Sequence, residues 1–403
     1  MKVKISPSLI SGEVTAPPSK SMSHRFLICA GLSEGESYIS NIAYSEDILA
    51  TLDCLEKMGA EITRGTDFVK IKGVLPEKSL GADYFCRESG STLRFFLPVA
   101  MLSDNESTFR GSGRLMERPM SVYEAIAKEK GFFYENTDGV LRVRGKLSSG
   151  IYKVAADVSS QFISGLLFAL PMCEGDSEIL LEGKIESRSY IDMTLEAMDM
   201  FGVKAAWNGN SLIIKGGQRY KNAEFAVEGD CSNAAFLDAF NLVGGNVSVK
   251  GLKDGTLQGD AVYREYFQLL KEGKPTLDVS NCPDLAPVLM SLASELGGAI
   301  LKGTARLRIK ESDRGTVMKQ ELSKLGADIE VREDEIIINK TTLKAPTEPF
   351  DSHNDHRVVM SLAVLCSKYG GIIEGAEAVR KSYPDFFERT AEMGMEAEEY
   401  DNQ

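Results

Sequence analysis

Residues 52–73 read LDCLEKMGAEITRGTDFVKIKG. Leu52, Leu55 and Met58 recur at the spacing of one helical face. Gly59 follows, the residue that ends helices because it takes positive φ freely. After it, Ile62, Val69 and Ile71 alternate with polar residues on either side of Thr66-Asp67, which reads as a hairpin. The stretch is therefore a helix, a glycine stop and two short strands.

The same pattern returns at 126–145 (IAKEKGFFYENTDGVLRVRG), 195–217 (LEAMDMFGVKAAWNGNSLIIKGG) and 319–340 (KQELSKLGADIEVREDEIIINK). Weaker copies are FQLLKEGKPTLDVSN at 267–281 and ERTAEMGMEAEEY at 388–400. The six glycines, Gly59, Gly131, Gly202, Gly273, Gly326 and Gly394, are 72, 71, 71, 53 and 68 residues apart. Near-constant spacing marks a repeat. The short gap leaves room after Gly273 for one strand and no hairpin.

Each repeat also holds a helix that is apolar nearly all round and so belongs in a core. These are SKSMSHRFLICAGLS, SGSTLRFFLPVAML, SSQFISGLLFALP, SNAAFLDAFNLVGG, CPDLAPVLMSLASEL and NDHRVVMSLAVLCSKYG. A strand follows most of them, as in ESYISNI, SEILLEGK, NVSVKG, AILKGTARLRI and GGIIEGA. The fold class is α/β (α+β): two similar domains, each of three β-α-β-α-β-β units. Unit six lacks its hairpin at the C-terminus, and KVKISPSLISGEVTA at the N-terminus is a strand pair without a helix, so the pair is expected to complete unit six. One domain would span 14–224, and the other 1–13 with 225–403.

A length of 403 residues suits two domains. Apolar content of 43% and charged content of 26% are those of a soluble globular protein. A net charge of -13 argues against a nucleic-acid binder, while leaving room for a local basic cleft that takes small anions. Seven scattered cysteines without a C-x-x-C fit a reducing compartment. No signal peptide is evident in MKVKISPSLI, and no apolar run approaches the roughly 20 residues of a membrane span. The expectation is a cytoplasmic protein.

Chemistry is expected at the starts of the six apolar helices, where free N–H groups and the helix dipole attract anions. In SKSMSHR, Ser21 and Arg25 are one turn apart and Lys20 precedes them; a serine N-cap with two solvated cations would read the same way. Gly90 permits close backbone approach in SGSTLR, with Arg94 a turn later. Arg118 precedes Pro119. Ser159, Ser160 and Gln161 are neutral donors suited to phosphate or hydroxyl groups, or to capping. Asp284 in CPDLAP is either a dipole partner or a general base tuned by cations. His353 and His356 lack a third ligand, so no metal site is assigned. RLRIKESDR (306–314), HNDHR and RKSYPD are charge runs, which alone would be solvated faces. At equivalent positions of a repeat they point to one basic cleft between the domains for two anionic ligands.

In this order the motifs resemble the 5-enolpyruvylshikimate-3-phosphate (EPSP) synthase family. The likeness runs through SKSMSHR, ESGSTLR, ERP, SSQFISGLLFALP, SRSYID, VEGD, PDLAP, RIKESDR, NDHR and RKSYPDFF. It implies an inverse α/β barrel-like fold of two three-unit domains. It also implies transfer of the enolpyruvyl group of phosphoenolpyruvate to the 5-hydroxyl of shikimate 3-phosphate, without organic cofactor or metal. By position, Lys20, Ser21, Arg25, Ser159, Ser160, Gln161, Ser187, Tyr190, Asp284 and Lys310 look like shikimate 3-phosphate contacts. Lys20, Gly90, Arg94, Arg118, Gln161, Arg314, Arg357 and Lys381 look like the phosphoenolpyruvate pocket. Asp284 matches the proton acceptor, Glu311 a proton donor to the methylene, and Lys20 a third catalytic group. Glu88 stands where many members carry Asn, an unfavourable charge near an anion unless paired or turned away, with a bearing on glyphosate, the family's competing inhibitor. PPSKS replaces the usual PGSKS.

The related UDP-N-acetylglucosamine 1-carboxyvinyltransferases usually carry a cysteine ahead of the Arg-Pro pair, and STFRGSGRLMERPM has none. A non-enzymatic anion binder would be expected to lose the acid–base set, which is present. The remaining expectations are two small-molecule substrates, no nucleic acid or membrane partner, and a monomer.

Overall fold

The computed structural model describes residues 1–76 and 81–400. It divides into two compact units, Pro18–Glu228 (unit A) and Met1–Pro17 with Gly229–Gln403 (unit B). Each is built of mixed helix and sheet around its own apolar core.

In unit A, helices α1 (Lys20–Gly31), α2 (Glu46–Met58), α3 (Gly90–Ala100), α4 (Ser121–Lys130), α5 (Ser160–Ala169) and α6 (Arg188–Met200) alternate between buried and amphipathic. The buried members, α1, α3 and α5, each contribute Phe or Leu side chains that are almost fully covered. Burying each of these is worth about 1.5–3 kcal/mol. Ser45 caps the start of α2, and Gly59 ends it in the left-handed region at φ 116°. The other five repeat glycines also have positive φ.

Three four-stranded sheets carry the repeat. Their strand orders are Glu224–Ala226, Glu36–Ser40, Phe68–Lys72, Glu61–Arg64; then Asp83–Phe85, Ser107–Arg110, Val140–Arg144, Phe133–Thr137; then Gly150–Ala155, Ser177–Glu182, Ser211–Ile214, Ala205–Asn208. In each, the first two strands are parallel and the last two form the hairpin; in the second and third sheets the parallel pair is joined across a buried helix, α3 or α5. The first sheet takes its opening strand from the far end of the unit, Glu224–Ala226, which pairs with Glu36–Ser40.

In unit B, α7 (Cys231–Ala239), α9 (Ala286–Leu296) and α11 (His356–Tyr369) are buried, and α8 (Tyr263–Glu272), α10 (Arg314–Ser323) and α12 (Phe386–Glu392) are the amphipathic members. Thr276–Asp278, Ala299–Lys302, Glu335–Asn339 and Asp328–Val331 repeat the same sheet order. The sixth repeat is Phe350–Asp351, Gly371–Glu374, Lys2–Ser6 and Glu396–Tyr400, so its hairpin partners come from opposite ends of the chain.

The N-terminal pair does not act as one element. Lys2–Ser6 completes the sixth repeat, whereas Ser11–Thr15 pairs in parallel with Asn246–Lys250 in the fourth. That pairing supplies the opening strand of a repeat that has no hairpin after α8. It also keeps residues up to Pro17 in unit B, while Glu224–Ala226 keeps residues up to Glu228 in unit A. A second difference lies in AILKGTARLRI, where the strand stops at Lys302 and Ala305–Ile309 is a 3₁₀ turn.

Candidate active site

Unit A gathers its polar residues at the starts of α1, α3, α5 and α6. Ser19, not Ser21, caps α1 by accepting from Met22 N, so Lys20 and Ser21 lie in the first turn. Lys20 Nζ pairs with Asp47 Oδ2 at 2.8 Å. Arg25 is buried, with Nε donating to Thr194 Oγ1 (2.9 Å), Nη1 to the Ser21 carbonyl (2.7 Å) and Nη2 to the Tyr190 carbonyl (2.7 Å). Its guanidinium lies over the Phe95 ring at 5.4 Å. Burial lowers its pKa to about 10.

Ser89 caps α3, which places Gly90 at its first position. A methyl group on Gly90 would stand 2.6 Å from Arg118 Nη1 and 3.5 Å from both Arg94 Nη1 and Gln161 Oε1. Three of the expected side chains therefore converge on this glycine, and only the missing Cβ lets them approach. Arg94 donates to Gln161 Oε1 at 2.6 Å and to the Pro119 carbonyl at 3.2 Å, over the Phe162 ring at 4.9 Å. Gln161 Nε2 donates to Ser91 Oγ at 2.9 Å.

Ser159 is the α5 cap, so its oxygen accepts from Gln161 N, and Ser160 is buried in the first turn. Ser187 precedes α6 in the left-handed region at φ 53°, a conformation that costs a non-glycine residue about 1 kcal/mol or more. Half-buried Tyr190 ties α6 to Arg25 through its carbonyl. The Glu88 carboxylate lies against Gly113, where an added methyl would meet Oε2 at 2.8 Å.

Unit B gathers its charges around Asp284, in a 3₁₀ turn (Pro283–Leu285) ahead of α9. Asp284 Oδ1 accepts from Arg314 Nη1 at 2.7 Å and faces Lys310 Nζ at 3.3 Å, and Oδ2 accepts from Arg357 Nη2 at 3.2 Å. Arg314 also donates to Glu311 Oε2 (2.8 Å) and to Asp355 Oδ2 (2.9 Å). Arg357 is held by Ser232 Oγ (2.8 Å) and Asn233 Oδ1 (3.2 Å). Lys381 Nζ donates to the Asn354 carbonyl at 2.6 Å. Burial lowers the Lys310 pKa; for Arg314 and Arg357 the neighbouring carboxylates outweigh burial and raise it.

Lys310 and Arg314, four residues apart, do not share a helical face. Residues 310–313 are non-helical and α10 starts at Arg314, yet both cations reach the same Asp284 oxygen. RLRIKESDR is thus no solvated helix start, since Arg314 is almost fully covered. The two histidines part company: His353 Nε2 lies 3.1 Å from Glu321 Oε1, and His356 is buried in α11.

Residues not singled out from sequence complete both clusters. Asp47 and Thr194 hold Lys20 and Arg25, and Asp355, Ser232 and Asn233 hold the unit B arginines. A signal existed for the last three, since Ser232-Asn233 and Asp355 open apolar helices as Ser159-Ser160 does. Asp47 and Thr194 carry no such mark.

The EPSP synthase (3-phosphoshikimate 1-carboxyvinyltransferase) family model matches residues 5–390. A 3-phosphoshikimate 1-carboxyvinyltransferase of Clostridium kluyveri is 42% identical over 99% of this chain and 98% of its own length. That of Clostridioides difficile is 39% identical over 99% and 98%. A solved EPSP synthase from Acinetobacter baumannii, 24% identical, matches in fold with a TM-score of 0.79 over 98% of this chain and 99% of its own. Whole-chain coverage by model and relatives, on a chain whose motifs form two charged clusters at repeated helix starts, shows that this protein belongs to the EPSP synthase family.

Proposed function

We propose that the chain transfers the enolpyruvyl group of phosphoenolpyruvate to the 5-hydroxyl of shikimate 3-phosphate and releases phosphate. The observation that carries this reading is Asp284, a carboxylate bonded to Arg314 and Arg357 with Lys310 beside it. Preorganised charge of this kind stabilises transition states because it needs no rearrangement during reaction.

The chemistry runs in two steps. The 5-hydroxyl oxygen bonds to C2 of phosphoenolpyruvate as Asp284 takes the hydroxyl proton and Glu311 or Lys20 protonates the methylene carbon. The tetrahedral adduct then loses a proton from that carbon and the C–O bond to phosphate breaks, which restores the vinyl group. Lys20, Ser21, Arg25, Ser159, Ser160, Gln161, Ser187, Tyr190 and Lys310 bind shikimate 3-phosphate. Lys20, Gly90, Arg94, Arg118, Gln161, Arg314, Arg357 and Lys381 bind phosphoenolpyruvate. Arginines suit planar carboxylate and phosphate groups, and here their planes are set by fixed partners.

We also read the protein as a cytoplasmic monomer acting without metal or organic cofactor. Seven free, buried cysteines support the reducing compartment. No helix among the described residues is long and apolar enough to cross a membrane.

The test is phosphate release from phosphoenolpyruvate with shikimate 3-phosphate or UDP-N-acetylglucosamine as acceptor. Release that depends on shikimate 3-phosphate is expected. Release with the nucleotide sugar alone would overturn the acceptor, and silence with both would overturn the activity.

A further inference from the structure

A buried chain of hydrogen bonds runs through unit A from the middle of α1 to the cap of α3. His24 Nδ1 lies 2.7 Å from Thr51 Oγ1, Thr51 Oγ1 lies 2.8 Å from Thr92 Oγ1, and Thr92 Oγ1 donates to Ser89 Oγ at 2.8 Å. All four side chains are at most 1% exposed. The chain's two ends are next to the proposed substrate contacts: His24 adjoins Arg25 in sequence, and Ser89 adjoins Gly90.

The direction of the chain follows from counting protons. A threonine hydroxyl has one proton. Thr92 gives its proton to Ser89, so Thr51 must give its own to Thr92. Thr51 can then only accept from the imidazole, which places the histidine proton on Nδ1. Nε2 is left bare. That agrees with its surroundings, since Nε2 is buried and has no hydrogen-bond partner in the protein. A bare ring nitrogen is easier to leave there than an unmet N–H. Burial, reinforced by the charges of Lys20 and Arg25, keeps the imidazole neutral.

We propose that His24 is a positioning residue: as the Nδ1–H tautomer it heads a one-way relay through Thr51 and Thr92 that fixes the Ser89 cap, and with it the Gly90 turn that receives phosphoenolpyruvate. Aligned donors polarise one another, so the last bond of the relay depends on the first. The role rests on the functional reading above.

Four variants test it: His24→Asn, whose amide nitrogen replaces Nδ1–H at the same distance from Cβ, His24→Leu, Thr92→Val, and the Leu/Val double variant. Both single apolar variants are expected to raise the KM for phosphoenolpyruvate about 10-fold, the loss expected for one broken buried hydrogen bond. The KM for shikimate 3-phosphate and kcat should stay within about 3-fold, the double variant should resemble either single one, and His24→Asn should recover the wild-type KM. Equal loss for both substrates, additive effects, or no rescue by asparagine would overturn the relay and leave ordinary packing. Nitrogen NMR of isotope-labelled histidine gives a readout independent of activity, with His24 identified by its absence in His24→Asn. A bare, pyridine-type Nε2 supports the relay, and a protonated Nε2 overturns it. Inactive wild-type protein would refute the functional reading instead, and the NMR result would still decide the tautomer.

Discussion

Arg314 Nη1 donates to Asp284 Oδ1 at 2.7 Å, and the two residues are hubs of opposite sign. Arg314 is bonded to three carboxylates, those of Asp284, Glu311 and Asp355. Asp284 lies within ion-pair distance of three cations, Lys310, Arg314 and Arg357. The charges nearly cancel within the cluster, so an arriving anion and a departing proton both change its balance.

Asp284→Ala should keep the fold, because Arg314 retains Glu311 and Asp355 and Arg357 retains Ser232 and Asn233. Turnover should fall by about 10²–10⁴-fold, the usual contribution of a general base. Binding of phosphoenolpyruvate, measured by calorimetry, should not weaken, since two arginines lose a competing carboxylate. Unchanged turnover would remove Asp284 from the mechanism.

Arg314→Met addresses stability. Asp355 is fully buried and would keep the hydrogen bonds from Ser312 and the Arg357 backbone N–H, with His356 Nδ1 at 3.9 Å. Removing one partner of a buried ion pair costs about 3–5 kcal/mol. Denaturant unfolding of the variant should show a loss of that size, and a loss below about 1 kcal/mol would mean that the network contributes little.

Gly90→Ala puts a methyl 2.6 Å from Arg118 Nη1. The guanidinium has to move, so affinity for phosphoenolpyruvate should drop about 10-fold or more while melting temperature changes little. Steady-state kinetics with saturating shikimate 3-phosphate would expose the effect, and an unaltered KM would show that Arg118 does not act at this position.

His24 gives the protein an acid-side weakness. Its pKa is depressed in the folded state by burial and by Lys20 and Arg25. Below the unfolded-state value, about 6.5, the unfolded chain takes up a proton that the folded protein refuses. Stability is therefore whole above that pH and declines as pH falls below it. His24→Asn lacks this loss, so its stability relative to wild type should improve between pH 7.5 and pH 5. Parallel stability curves for the two proteins would contradict the depressed pKa.

Much of the fold is legible in the chain because a repeat states its rule several times. The helix–glycine–hairpin unit at 52–73 recurs with glycines that all adopt positive φ. The missing fourth hairpin shows as the 53-residue gap between Gly273 and Gly326. The destination of Ser11–Thr15 was not legible. A five-residue strand specifies which of its faces is apolar but not which repeat it will join, and here that repeat begins more than 200 residues away.

The same division runs through the charged residues. Sequence alone determined which cations and hydroxyls stand at the helix starts, because helix starts and turns are written in neighbouring residues. Tertiary structure alone decided what each is bonded to. Lys20 meets Asp47 across 27 positions, Arg314 meets Asp355 across 41, Arg357 meets Asp284 across 73 and Arg25 meets Thr194 across 169. Periodicity and capping are local properties of the chain, whereas charge neutralisation in a buried cluster depends on which groups the packed helices bring within about 3 Å of one another.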